Sequence, residues 1–464
     1  MKKVFLFFAL LSIQYLLPAQ TVGERIRKSF NRFMADSQLK HAAISLYVID
    51  AKTGQTVFDM NSQLGLAPAS TQKIITSVTA FELLGKNYRY KTRFGLITED
   101  GVTQTICIQP SGDPTFGSSR FASSSPSAVF DQVYAALAKN GYKPGLISFS
   151  IDSTRFTTNS IPDGWIWQDL GNYYGAGAGP LIWRENQFDI ALKSGNVIGE
   201  KTELVLFNGA KDFLIPFINE VTTAARGTGD NAYIYLPISK GDYTIRGTIP
   251  AGESGFSISG AFNNGAEYIV EDLGARLAKM REKDKFSTSP VFIYRKTPDT
   301  ARMVYTHYSP TLDSVIYWFN RKSINLYGEA LIKTIAIEKQ GFASTDSGVA
   351  LLRRFWKEKG LDPEELNMYD GSGLSPLNRV TTHAQVEILK YAKGRSWFPA
   401  FYDALPEYNG MKMKSGTISD VKGYCGYHKA KDGREYIFSF LINNYTGKTA
   451  PVVSKMFSVL DELK

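Results

Sequence analysis

Apolar positions recur three and four residues apart across 22–34, and an almost unbroken apolar run spans 74–84 before Gly85. Residues so spaced share one face of a 3.6-residue turn, so both stretches are predicted helices, with Gly85 as the C-cap of the second. Between them, 43–49 and 55–60 read as strands. The turn Asp50-Ala51-Lys52-Thr53-Gly54 joins them into a hairpin. From 88 to 298 the pattern changes to short strands (105–109, 146–152, 203–207, 232–236) between Gly, Ser and Asp turns. Helical spacing there is confined to 128–140, 213–223 and 266–281. From 311 it returns, through 338, then over 346–359 and 380–392. The chain ends in strand-like 411–413, 422–427 and 436–443 and an amphipathic helix over 452–463. Lys431-Asp432-Gly433 supplies the hairpin turn between the last two strands.

This order predicts an α+β protein. A domain of helices on an antiparallel sheet, 20–87 plus 299–464, is split by an inserted α+β region, 88–298, with a nested subdomain over about 190–260. A chain of 464 residues, 43% hydrophobic, is long enough for two or three such units.

The first residues change the compartment. Lys2 and Lys3 precede an apolar run over 4–17, and Leu17-Pro18-Ala19 resembles a small-residue cleavage site, so 1–19 is expected to be a secretory signal removed after Ala19. The run is shorter than the roughly 20 residues a membrane span needs. The mature protein is therefore expected in the periplasm or otherwise exported, with no transmembrane anchor. The net charge of +9 comes from Lys and Arg spread along the chain. Without a basic block interleaved with aromatics, it reads as a solvated surface and not as a nucleic-acid interface. Two cysteines, Cys107 and Cys425, leave one bridge or two free thiols open. The four histidines lack paired metal spacing and there is no CxxC, so neither a metal nor another cofactor is expected.

Three short elements carry chemistry: Ser70-Thr71-Gln72-Lys73, Ser323-Ile324-Asn325 and Lys414-Ser415-Gly416-Thr417. Serine is a weak nucleophile and needs an adjacent base. A lysine three residues along a helix lies one turn away, and burial near a second cation favours its neutral, basic form. Each element alone is weak: Ser37 to Lys40 and Ser419 to Lys422 repeat the first spacing, and Lys52-Thr53-Gly54 and Lys193-Ser194-Gly195 resemble the third. Context separates them. Ser70 follows Pro68-Ala69 and opens the long apolar helix, Ser323 falls between helical stretches, and Lys414 lies on a strand of the final meander.

In this order the elements resemble those of penicillin-binding proteins. More closely, the chain resembles the low-molecular-mass class C group, the penicillin-binding protein 4 type of D-Ala-D-Ala carboxypeptidase/endopeptidase. Gly112-Asp113-Pro114-Thr115, Gly164-Trp165-Ile166-Trp167-Gln168-Asp169 and Asp370-Gly371-Ser372-Gly373-Leu374-Ser375 add to the likeness, as does the long gap between Ser70 and Ser323. The resemblance implies a penicillin-binding/β-lactamase-like domain that hydrolyses peptidoglycan stem peptides through an acyl-enzyme and takes β-lactams as covalent inhibitors. It implies Ser70 as nucleophile, Lys73 as base, Ser323, bonded to Lys73 and Lys414, as proton relay, and Asn325 as holder of the substrate amide. Lys414 would keep the site positive. Ser415 and Thr417 would receive the terminal carboxylate beside Gly416, and the N–H groups of Ser70 and Thr417 would form the oxyanion hole. Asp169 would bind a cationic group of the stem peptide, or else be a turn carboxylate.

Departures from the family pattern are Ile324 in place of Asp, Ser415 in place of Thr, and Pro376 where Arg is usual, with Arg379 nearby. The lead-in over 405–414 is short, so a glycine-rich loop near the cleft is missing and a more open site is expected. The competing readings are a β-lactamase or esterase of the same acyl-serine class, and a non-catalytic wall-binding protein. The balance of carboxypeptidase and endopeptidase activity stays open.

Overall fold

A computed structural model describes residues 20–99, 103–142, 148–206, 216–238, 241–262, 264–279 and 291–464. The expected signal segment, 1–19, lies outside them. A six-stranded antiparallel sheet runs in the order Glu407–Tyr408, Met411–Ile418, Val421–Lys429, Glu435–Asn443, Ala43–Asp50, Thr56–Met60. Side chains of a strand alternate between faces, and here both faces are covered. Ile44, Leu46, Val48, Phe438 and Phe440 point into a layer with the helices Val22–Met34 and Thr449–Leu460. Tyr47, Ile49, Ile437 and Leu441 pack the other way, against Lys73–Leu84, Asn325–Gln340 and Thr382–Lys393. Burial on both faces explains why 436–443 is an almost continuous apolar run.

The first helix starts at a capping box, with Thr21 and Glu24 exchanging side-chain-to-backbone bonds. The helix Lys73–Leu84 is apolar nearly all round because it is buried between the sheet and the other helices, and Gly85 ends it at φ 84°. The stretch 311–338, one helical pattern in the sequence, is two helices, Leu312–Arg321 and Asn325–Gln340. Ser323 breaks them with φ 57°, in the left-handed region.

The segment between the two halves of this layered body builds further sheets. A five-stranded sheet, ordered Val291–Tyr294, Ser148–Ile151, Thr103–Gln109, Lys91–Glu99, Arg302–Tyr308, packs on the helices Pro126–Lys139 and Gly265–Lys279. Two smaller sheets share a core of Phe188, Ile190, Ile234, Ile245 and Ile258. The predicted helix over 213–223 is not formed in its described part. Phe217–Asn219 and Thr222–Ala224 are strands parallel to Tyr243–Pro250. Cross-strand pairing of a β-branched run, Val221-Thr222-Thr223, outweighs its helical spacing. Residues 146–147, 207, 213–215 and 280–281 of the predicted elements lie outside the described set. Cys107 and Cys425 are free and buried, each in a different sheet. No helix among the described residues is long and apolar enough to cross a membrane.

Candidate active site

The three elements picked out in the sequence meet along the strand Met411–Ile418, which pairs along its length with Val421–Lys429 and, at Met411 and Lys412, with Glu407–Tyr408. Ser70 lies in a 3-10 turn, Ala69–Gln72, that runs into the helix Lys73–Leu84. Ala69 is fully buried with φ 47°, an uncommon conformation for a residue with a Cβ, so the packing around it holds the turn in place. Thr71 Oγ1 donates to the Pro68 carbonyl at 2.7 Å and accepts from Gln385 Nε2 at 2.9 Å, and Ser439 Oγ donates to Gln385 Oε1 at 2.6 Å. The nucleophile turn is thereby tied to the sheet. Gly416 makes the close approach possible, since a Cβ there would sit 2.5 Å from the Pro68 carbonyl oxygen and 2.9 Å from the Ser70 nitrogen.

Lys73 is completely buried. Its Nζ lies 2.9 Å from Ser70 Oγ, 2.7 Å from Asn325 Oδ1 and 2.7 Å from the Ser372 carbonyl oxygen. The Asn325 amide is oriented by its Nδ2, which donates to the Tyr174 carbonyl at 2.8 Å. Two of the three partners of Lys73 can only accept. A neutral amine has two hydrogens and one lone pair, so both hydrogens go to Asn325 and Ser372 and the lone pair is left facing the Ser70 hydroxyl. The electrostatics agree. Burial above all, and then the Lys414 charge, hold the Lys73 amine well below the usual lysine range, against the opposing pull of Asp370 and Glu329.

Lys414 is also buried, and burial lowers it to about 7. It donates to Ser323 Oγ at 3.0 Å and to the Ser415 carbonyl at 2.8 Å. Ser323 is thus bonded to Lys414, while the hydrogens of Lys73 go to Asn325 and Ser372 and not to Ser323 as the resemblance implies. A cavity of about 390 Å³ is lined by Ser70, Asp169, Tyr174, Ser323, Asn325 and Thr417, among others. It brings Asp169, from the inserted region, into the same cleft. Burial raises the Asp169 carboxyl to about 6, with a hydrogen bond from Tyr174 opposing. Ser415 is not in the cavity lining and donates to the Tyr408 hydroxyl at 3.3 Å. Thr417 accepts from Lys422 Nζ at 2.7 Å.

Asp370, Pro376 and Arg379, named from the sequence only as parts of the resemblance or departures from it, and Glu329, which carried no signal there, also shape the site. Asp370 accepts from Gln72 Nε2 (2.9 Å), Trp165 Nε1 (2.9 Å) and the backbone N–H groups of Gly373 (2.8 Å) and Ser375 (2.7 Å), so it fixes the loop that presents the Ser372 carbonyl. Glu329, behind it, accepts from the Gly371 N–H at 3.1 Å, and burial pushes its carboxyl up to about 8. Pro376 lines the cleft, and the Arg379 guanidinium is tied to the Pro376 and Asn378 carbonyls at 2.7 and 2.8 Å. Among the described residues no cluster of His, Cys, Asp and Glu is placed to hold a metal.

The chain is similar over most of its length to known proteins. It is 24% identical to a D-alanyl-D-alanine carboxypeptidase of Actinomadura sp. (strain R39), across 94% of this chain and 84% of that protein. It is 24% identical to D-alanyl-D-alanine carboxypeptidase DacB of Haemophilus influenzae, across 88% of each. Its fold matches the crystal structure of penicillin binding protein 4 from Haemophilus influenzae with a TM-score of 0.77 at 19% identity, covering 94% of this chain and 99% of the other. The family match spans residues 26–407, which takes in Ser70, Lys73, Asp169, Ser323 and Asn325, and the strand bearing Lys414 follows directly. The chain belongs to the D-Ala-D-Ala carboxypeptidase 3 (S13) family.

Proposed function

We propose that this chain is a serine D-Ala-D-Ala carboxypeptidase/endopeptidase that cleaves peptidoglycan stem peptides through an acyl-enzyme on Ser70. The observation that carries the assignment of roles is the lone pair of Lys73, pinned toward Ser70 by two carbonyl acceptors. In this reading the Ser70 proton passes to Lys73 as the oxygen attacks the carbonyl between the two D-alanines. Backbone N–H groups of Ser70 and Thr417 take the oxyanion. The leaving amine takes a proton from Ser323, and Lys414, 3.0 Å away and poised near neutrality, replenishes it. Water then attacks the ester, returning one proton to Lys414, and Ser70 recovers its own from Lys73.

Asn325 holds the substrate amide, and Thr417 and Ser415, with Gly416 between them, receive the terminal carboxylate. Asp169 binds a cationic side chain of the stem peptide. β-Lactams, which present a strained amide to the same serine, acylate it covalently. The catalytic domain is 20–87 joined to 299–464 less the strand Arg302–Tyr308, which pairs with Lys91–Glu99 in the inserted region's sheet, and 88–298 is the insertion that carries Asp169, with a nested subdomain over about 190–260. Family membership favours a periplasmic or secreted location. The test is intact mass after incubation with a fluorescent penicillin. One adduct on Ser70, abolished in Ser70→Ala, is expected, and a folded wild type that takes no adduct overturns the reading.

A further inference from the structure

Thr417 lines the cleft with Ser70 and Ser323. A threonine hydroxyl has one hydrogen and two lone pairs. Lys422, its antiparallel cross-strand partner, is only 8% exposed and donates to Thr417 Oγ1 at 2.7 Å. An ammonium cannot accept, so this bond consumes a lone pair of Thr417 and leaves the hydroxyl hydrogen without a protein acceptor among the described residues. Lys422 has no carboxylate partner there either. Its other near neighbour is the Tyr424 ring, 4.8 Å from Nζ to the centroid. A buried cation without an anion is costly, and here it stands one hydroxyl away from the cleft. The other cations nearby have partners of their own: Lys414 donates to Ser323 and the Ser415 carbonyl, and Arg379 to the carbonyls of Pro376 and Asn378.

Resting on the carboxypeptidase reading of this cleft, we propose that Lys422 sets carboxylate specificity: it turns the Thr417 hydroxyl into an obligatory donor toward the cleft and supplies the positive charge behind it. Lys422 is a positioning residue, acting through Thr417 on the terminal carboxylate of the substrate. Because Ser415 faces Tyr408 in this structure, the pair Lys422–Thr417 is the part of the carboxylate site already in place.

The experiment compares acylation of Ser70 by benzylpenicillin and by its methyl ester, which keeps the reactive ring and removes the charge, in wild type, Lys422→Met and Lys422→Arg. The wild type prefers the acid. In Lys422→Met the acid-over-ester ratio falls by about tenfold or more, the span of one lost charge-assisted hydrogen bond. The loss sits in the half-saturating concentration and not in the rate of the saturated complex. Lys422→Arg retains the ratio within about threefold, since it keeps a cationic donor. A ratio unchanged in Lys422→Met, with both rates falling together, makes the lysine a packing residue and overturns the proposal. So does a wild type indifferent to the ester, even though it is acylated. A wild type acylated by neither compound removes the carboxypeptidase reading itself. Circular dichroism and thermal melting check each variant, and Lys422→Gln replaces Lys422→Met if the latter does not fold.

Discussion

Asn325→Asp tests the neutral-amine argument most sharply. The substitution keeps the shape of the side chain, replaces the amide oxygen, 2.7 Å from Lys73 Nζ, with an anionic one, and gives up the bond from Nδ2 to the Tyr174 carbonyl. The ammonium form of Lys73 then gains a charge-assisted bond worth about 1.5–3 kcal/mol. At 1.36 kcal/mol per pH unit, that moves the rising limb of the acylation profile up by about one to two pH units. The sign follows from the role. Lys73 accepts the Ser70 proton only when neutral, above its own pKa, and burial and Lys414 hold that pKa low. A carboxylate raises it, so acylation on the rising limb drops by up to about 10- to 100-fold and recovers as the pH rises. The assay is the rate of labelling by a fluorescent penicillin across the pH range in which a buried lysine titrates. Asn325→Ala serves as the control. It loses the bond to the Tyr174 carbonyl as well, so its rate falls, but it adds no charge and its midpoint does not climb. Asn325→Asp with the wild-type midpoint would refute a neutral Lys73 as the base, whatever its amplitude.

Two further outcomes are expected. Gly416→Ala forces a Cβ to within 2.5 Å of the Pro68 carbonyl oxygen and 2.8 Å of the Thr71 nitrogen. Urea unfolding should show a loss of about 1–3 kcal/mol, and acylation should slow by about 100-fold because strand and nucleophile turn move apart; labelling at the wild-type rate would show that the approach is not needed. Asp169 is charged above about pH 6, so the preference for a stem peptide with a free side-chain amine over its N-acetylated twin should hold at neutral pH and fade below about 6. Asp169→Asn should show no preference at any pH, and a preference that survives the substitution places the amine elsewhere.

Ser70, Ser323 and Lys414 could be picked out of the sequence because each stands as a particular side chain in a particular local setting. Ser70 leads into an apolar helix, and Lys414 lies within a strand, two residues before Gly416. What the sequence left out was carried by the backbone or by pairing register. The Ser372 carbonyl that holds Lys73 has no signature, since every residue has a carbonyl. The break at Ser323 is a left-handed residue with a Cβ, so no glycine or proline marks it inside 311–338. Lys422 reaches Thr417 only because the two strands pair with those residues opposite each other, and one lysine three residues beyond a serine gives no hint of that register. The helix expected over 213–223 failed for a related reason: strand pairing with Tyr243–Pro250 is a long-range choice that local spacing cannot see.

The contacts between the catalytic helices and the inserted region bear on how this enzyme can be shortened or recombined. Asn325 is held by the Tyr174 carbonyl, and Trp165 donates to Asp370. Lys333 Nζ donates to the carbonyls of Asn159 and Ala178, each at 2.7 Å. Excising the insertion would therefore leave the Asn325 amide beside Lys73 without the carbonyl that orients it, and the buried Lys333 without acceptors. A minimal version cannot be made by deletion alone. Transplanting the insertion from a relative would have to carry over the segment from Asn159 to Ala178 as a unit, together with the helix face that receives it, so these two parts of the gene should exchange between relatives only as a linked pair.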